Sequence, residues 1–295
     1  MIDDWDRIII LHYFEEEVVL VDDAKTGMSI GIVFTTKRLL MDHFKPAYDA
    51  QNKEGLVVSL DGTWRLVVGD RPLLVFGSDY LCEKSQSHSF VPWCFCWSKS
   101  ENIVATDFLI SKFVNACNLF ILSDTDDAIN VLVGIIDHSA ALRAALVKNF
   151  PHIYIVSCWA HLSRNARTVA GQSYEDESSG LKIPFITGGK VFFDNEIFPY
   201  LQRMHMSQTE SEFDSFVDAL KTKFSTYCPK FIDRFIDENC SPDWKGWYVG
   251  FLPFKGVGLT SNPIESYNRQ LKRIVDLRYI YNACLLLIYV YAFSS

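Results

Sequence analysis

Short apolar runs dominate the first half of the chain, and amphipathic helical spacing dominates the second. From Leu56 onward three β-rich runs, LVVSLDGTWRLVV, RPLLVFGSDY and SHSFVPWCFCW, follow one another with turn-forming residues between them. Such a succession predicts an antiparallel meander. The stretch from Asn102 to Phe120 then sets Val104, Phe108, Leu109, Phe113 and Ala116 near 3.6-residue spacing, which predicts a helix. Two further β runs each lead directly into a helix, INVLVGIID into AALRAALVKNF and HIYIVS into CWAHLSRNAR. A meander followed by strand, helix, strand, helix predicts an α/β fold with a mixed sheet flanked by helices.

The flanking segments complete a division into four. Residues 1–54 read as an acid-rich N-terminal helical segment, with a helix around Thr35 to Phe44 and then a polar loop, AYDAQNKEG. Residues 55–170 carry the first part of the core. From Gly171 to Gly189 the composition turns to Gly, Ser, Glu and Asp, an exposed linker. Phe198, Leu201, Phe213, Phe216, Leu220, Phe224, Phe231 and Phe235 then give residues 195–240 an apolar helical face. Residues 171–250 are therefore expected to be linker and helical insertion. Residues 251–295 are expected to close the core with one or two helices.

Composition narrows the class. The 295 residues are 49% hydrophobic, 14% aromatic and only 22% charged, which excludes a disordered or fibrous chain. A net charge of −8 argues against coating nucleic acid non-specifically, because that binding depends on Lys and Arg displacing counterions. A local basic groove is still compatible with it. The start MIDDWDRIII lacks the basic residues and long apolar stretch of an export signal. The uncharged run from Tyr279 falls short of the ~18 apolar residues of a membrane span, so no membrane association is expected. Eight scattered cysteines read as reduced thiols.

Four places could carry chemistry. Asp61, in SLDGTW, is either a carboxylate held on a buried strand to bind something or the first residue of an Asp-Gly hairpin turn. Asp137 ends a strand, where α/β folds build their sites, but it or Ser139 could simply cap the next helix. Asp124, Asp126 and Asp127 upstream look like a solvated turn. Glu265 completes a capping box with Asn262 and Pro263, yet Glu265, Asn268, Arg269 and Lys272 also share one helix face, opposite Ile264, Tyr267, Leu271, Ile274 and Val275. Cys158 and His161 form a Cys-x-x-His pair followed by Arg164, Asn165 and Arg167. No second ligand pair follows at finger spacing, so packing, hydrogen bonding or a partial metal site is favoured over a zinc finger. A thiol protease lacks its nucleophile signature.

The order of these features is more specific than any one of them. The Asp-Gly-Thr-aromatic strand, the strand ending in Asp before an alanine-rich helix, then NFPHIYIVSCWAHLSRNAR and LTSNPIESYNRQLKR resemble the Mutator-like element (MULE) transposases. The resemblance covers about residues 30–275, with FTTKRLLMD near its start, and is most specific from Asn149 to Arg167. It implies a ribonuclease H-like catalytic core with a helical insertion before the last acid and a DDE triad of Asp61, Asp137 and Glu265. It also implies that Cys158 and His161 are the family's Cys-x-x-His.

The activity implied is DNA strand cleavage and strand transfer, with water and then a 3′-hydroxyl as nucleophile. Three converging carboxylates would suit two Mg²⁺ or Mn²⁺ ions, ~3.5–4 Å apart, with zinc not expected. Arg164, Arg167, Arg269 and Lys272 are the candidate phosphate contacts. DNA, both element ends and target, is the implied partner, with a homo-oligomer on it and a nuclear location. The first 54 residues hold eleven acids against six basic residues and no DNA-binding module. The resemblance therefore implies a fragment, a degenerate copy or recognition of the ends by other means. The alternative is an inactive, domesticated descendant that binds DNA or protein.

Overall fold

The described part of the acid-rich N-terminal segment begins in strand, not helix. Strands β1 (Ile8–Val19) and β2 (Thr26–Thr36) pair antiparallel, with a bulge between Ile10 and His12. Both are rich in β-branched residues, which suit a pleated surface. Thr35, placed in a helix by its sequence surroundings, instead donates its hydroxyl to the Trp93 carbonyl at 2.6 Å and stays in β2. The helical stretch begins later, with a π-helical turn at Leu39–Phe44 and then α1 (Lys45–Gln51). The computed structural model describes residues 7–19, 26–51, 53–64, 66, 71–82, 87–123, 128–254 and 257–274. They divide into two compact units, one of residues up to Ile153 and from Asn262 onward, the other Tyr154–Ser261.

In the first unit the meander forms as its alternation predicts, from β3 (Leu56–Thr63), β4 (Leu73–Cys82) and β5 (Ser87–Ser98). Helix α2 (Ile103–Phe120) follows, capped by the Asn102 side chain, which accepts the Ala105 N–H at 2.9 Å. Strand β6 (Val131–Ile136) then adds to β3 in parallel, and α3 (Ala140–Asn149) leaves it. The sheet of this unit runs β1-β2-β5-β4-β3-β6, mixed as expected. By length and composition α2 could cross a bilayer, but here its Leu109, Phe113 and Cys117 are buried. Phe113 stacks on Trp93 at 5.6 Å and meets Phe44 and Phe76 edge-on.

The second unit opens with β7 (Tyr154–Ser157) and α4 (Trp159–Ala170). The presumed linker after it contains a short hairpin of β8 (Ser173–Glu175) and β9 (Lys182–Pro184). Its loop is organised by Asp176, whose carboxylate accepts from the hydroxyls and N–H groups of Ser178 and Ser179 and is held down to about 2 by them. Helices α5 (Gly189–Phe192), α6 (Phe198–Met206), α7 (Glu210–Phe224) and α8 (Pro229–Asn239) follow, with a π-helical turn at Phe193–Ile197 between the first two. They bury Phe193, Leu201, Phe213, Leu220, Phe231 and Trp247 in one core, as the helical spacing over 195–240 predicts.

Helix α9 (Asn262–Ile274) belongs to the first unit. Its Ile264, Tyr267 and Leu271 pack on Phe34, Leu73, Val75, Phe90 and Phe95, covering the sheet face away from α2. Val275, the closing run beyond it, and Asp124, Asp126 and Asp127 lie outside the described residues.

A half-buried carboxylate lies on this face. Asp79 on β4 pairs across to Phe90; its Oδ2 accepts the Ser59 hydroxyl at 2.7 Å, while Oδ1 has no hydrogen-bond partner among the described residues. Burial pushes it up to about 6, against the weaker opposing effect of Ser59. The folded chain therefore holds this proton when the unfolded chain has lost it. Stability on this account declines as pH rises from about 4 to about 6 and stays lower above. Asp79→Asn is expected to stabilise the fold at pH 7.5 by about 2 kcal/mol and to change little at pH 4, measured by urea denaturation. Equal shifts at both pH values would reject this origin.

Candidate functional site

Alternation along β3 turns Leu60 to the α2 side and Asp61 to the α9 side, where its cross-strand partner Val75 joins the core beneath α9. Asp61 and Gly62 pair with Val75 and Leu74 inside the ladder, so the hairpin-turn alternative does not apply. β3 and β6 are parallel neighbours, and their ladder ends on the pair Ser59↔Ile135. Two residues further along each strand stand Asp61 and Asp137. Asp137 directly follows the last residue of β6, so both acids stand toward the carboxyl ends of adjacent parallel strands.

Asp137 is not the helix cap. Ser139 is, accepting the Leu142 N–H at 3.5 Å and donating its own hydroxyl to Glu101 Oε1 at 2.7 Å. Glu101 is a residue that sequence reasoning passed over. Its other oxygen lies so close to Gly62 that a Cβ there would stand 2.4 Å from it. The carboxylate thus sits between the residue after Asp61 and the residue two after Asp137. Locally Glu101 reads only as the residue before the Asn102 cap, and no spacing rule points to it.

Glu265 lies in the first turn of α9. One turn on, Asn268 donates from Nδ2 to Asp61 Oδ2 at 2.8 Å, tying the helix to the strand across 207 positions of sequence. Residues three apart share a helix face, so Glu265 stands on the Asp61 side of α9. The amphipathic pattern places Asn268 on a solvent face; the structure buries it to 5% exposure. Arg269 is exposed and Lys272 half-buried.

The Cys-x-x-His pair and the other two arginines lie in the second unit. Cys158 caps α4 and is buried. Its sulfur accepts the Ser261 N–H at 3.2 Å and lies 3.8 Å from the Thr260 hydroxyl, and His161 Nδ1 is 3.3 Å from Ser261 Oγ. Burial raises this thiol, but hydrogen bonds from His161 and Ser261 outweigh it and bring it to about 7. The pair therefore does hydrogen-bonding work at a helix start. Arg164 is exposed. Arg167 makes a two-pronged ion pair with Asp194, Nε to Oδ1 at 2.8 Å and Nη2 to Oδ2 at 2.7 Å, so its guanidinium already has an anion.

Compared with models of protein families and with curated proteins, the chain matches none. The site must be read from its own chemistry. Near the ends of β3 and β6 stand three carboxylates, Asp61, Asp137 and Glu101, with the amide of Asn268 joined to Asp61 from the facing helix, and these offer hard oxygens. The buried Oδ1 of Asn268 has no hydrogen-bond partner among the described residues. An orphaned oxygen among clustered acids fits Mg²⁺ or Mn²⁺, which take oxygen ligands and offset the mutual repulsion of the carboxylates.

Proposed function

We propose that this chain is a DDE transposase of the Mutator-like type, a metal-dependent DNA strand transferase built on a ribonuclease H-like core. The observation that carries the reading is the placement of Asp61 and Asp137 on adjacent parallel strand ends, with α9 fastened to Asp61 so that Glu265 is one turn away. Helix capping and turn formation give no reason for such an arrangement. These are the three acids that the sequence resemblance names.

In this reading Asp61, Asp137 and Glu265 hold two divalent ions, which supply charge neutralisation at the phosphate and activation of the attacking oxygen. Asp61, on the inner strand, takes the central place, with Asp137 on one side and Glu265 on the other. Arg269 and Lys272, further along α9, offer cations to the DNA backbone as it approaches that helix. Cys158 and His161 order the start of α4 through their hydrogen bonds to Ser261. DNA is the partner, a homo-oligomer the assembly and the nucleus the location that follow.

The test is cleavage of supercoiled DNA by the full chain with Mn²⁺, together with joining of a labelled oligonucleotide that carries a free 3′-hydroxyl. The reading expects nicked and joined products that disappear in Glu265→Gln. Nicking without joining would reduce it to a nuclease. DNA binding without any cleavage would favour a domesticated binding module.

A further inference from the structure

Asn268 is out of place by its surroundings. Its helix neighbours Ile264 and Leu271 are fully buried, and Tyr267 packs on Phe90 with tilted rings 5.4 Å apart, so this turn of α9 is fixed against the sheet. An amide on such a turn must be desolvated, and an apolar side chain there would pack without that cost. One end of the amide is accounted for by Asp61. A carboxylate only accepts, so the end facing Asp61 is the Nδ2 donor, and Oδ1 is the end that remains unpartnered among the described residues.

We infer that Asn268 is a positioning residue for a divalent cation at Asp61: its Nδ2 holds Oδ2 of the carboxylate from the helix side and so fixes the side chain that would ligate the ion. The proposal rests on the metal-site reading given above and deepens it. Three features separate it from a packing role. The bond joins a candidate ligand directly, it comes from the helix that carries a second candidate ligand three residues earlier, and it leaves a neutral oxygen beside the carboxylate at no gain in stability. Outer-sphere partners of this kind typically set 10–100-fold in metal affinity. The same bond fixes the register of α9 on β3, so Glu265 and Asp61 are positioned by one interaction.

The probe is Mn²⁺ alone, titrated into the full chain and followed by the loss of the free-ion electron paramagnetic resonance signal, with no DNA or turnover involved. Asn268→Leu is expected to weaken Mn²⁺ binding 10–100-fold, while its metal-free melting temperature stays at or above that of the parent. Asn268→Ser, too short to reach Asp61, is expected to weaken Mn²⁺ binding to a similar degree and guards against a folding failure of the leucine variant. Asp61→Asn is the reference that removes the site. Parental Mn²⁺ affinity in both Asn268 variants, with binding lost in Asp61→Asn, would overturn the positioning role and leave the metal site standing. Parental affinity in Asp61→Asn as well would overturn the metal site and this inference with it. A lowered melting temperature with unchanged affinity would assign Asn268 to packing.

Discussion

Asp61→Asn is expected to lower Mn²⁺-dependent DNA cleavage by at least about 10³-fold without unfolding the chain. A bound ion supplies several kcal/mol of charge stabilisation in a displacement at phosphorus, and each 1.36 kcal/mol is tenfold in rate. On the proposed metal reading, removing the charge of Asp61 forfeits most of that. The substitution keeps shape: the replacement's amide oxygen still accepts from Asn268 Nδ2, and its backbone stays paired with Val75. Rate and stability should therefore separate, with the urea midpoint within about 0.5 kcal/mol of the parent and cleavage at background. Asp137→Asn should behave alike, since Ser139 and not Asp137 caps α3. Cleavage within tenfold of the parent in either variant would remove that residue from the site.

What was legible in sequence depended on how far the deciding partner lies along the chain. The meander, α2, and the two strand-to-helix steps at β6 and β7 were legible because their own alternation or 3.6-residue spacing reports which side is buried. Asp61-Gly62 was ambiguous because a turn and a strand look alike over four residues. Val75 and Leu74, on the next strand, decide for the strand. β1 was missed for a different reason. Its alternation is interrupted by the bulge between Ile10 and His12, and Glu15, Glu16 and Glu17 give it the look of a solvated segment. Its inward positions are nonetheless regular, with Phe14 buried against Phe108 of α2. The hairpin of residues 173–184 was hidden by composition alone, since Gly, Ser and Asp build tight loops as readily as linkers.

The site divides along the same line. Asp61, Asp137 and Glu265 are singled out by a pattern of motifs, and Cys158 with His161 by a spacing. Asn268 and Glu101 carry no local signal, because their partners, Asp61 and the Gly62–Ser139 region, are brought to them by the sheet. The helical stripe assigned Asn268 to solvent on average polarity, and a single partner 207 positions away reverses that. Arg167 shows the converse: a spacing that suggested a phosphate contact is answered by Asp194 in its own unit.

The second unit should be the part of the chain most sensitive to a single truncation, at Trp247. Its indole is fully buried, donates from Nε1 to the Asn239 carbonyl at 2.7 Å, stacks on Trp159 at 5.6 Å and meets Phe213 and Phe235 edge-on. Its own carbonyl holds His205 Nδ1 at 2.5 Å, a bond that helps stack the imidazole on Trp159 at 4.5 Å. Trp247→Ala is expected to cost about 3–5 kcal/mol for the cavity and about 1 kcal/mol more for the unpaired Asn239 carbonyl. That is a large share of the 5–15 kcal/mol typical of a folded protein, so residues 154–261 should become protease-sensitive near room temperature. Trp247→Phe keeps most of the buried ring and loses only the donor and some volume, and a cost nearer 1–3 kcal/mol is expected by urea denaturation followed by circular dichroism. The ordering is the test. Equal costs for Ala and Phe would place the stability in the Nε1 bond, and a cost below about 1 kcal/mol for Ala would show that the aromatic cluster around Trp247 does not hold the unit together.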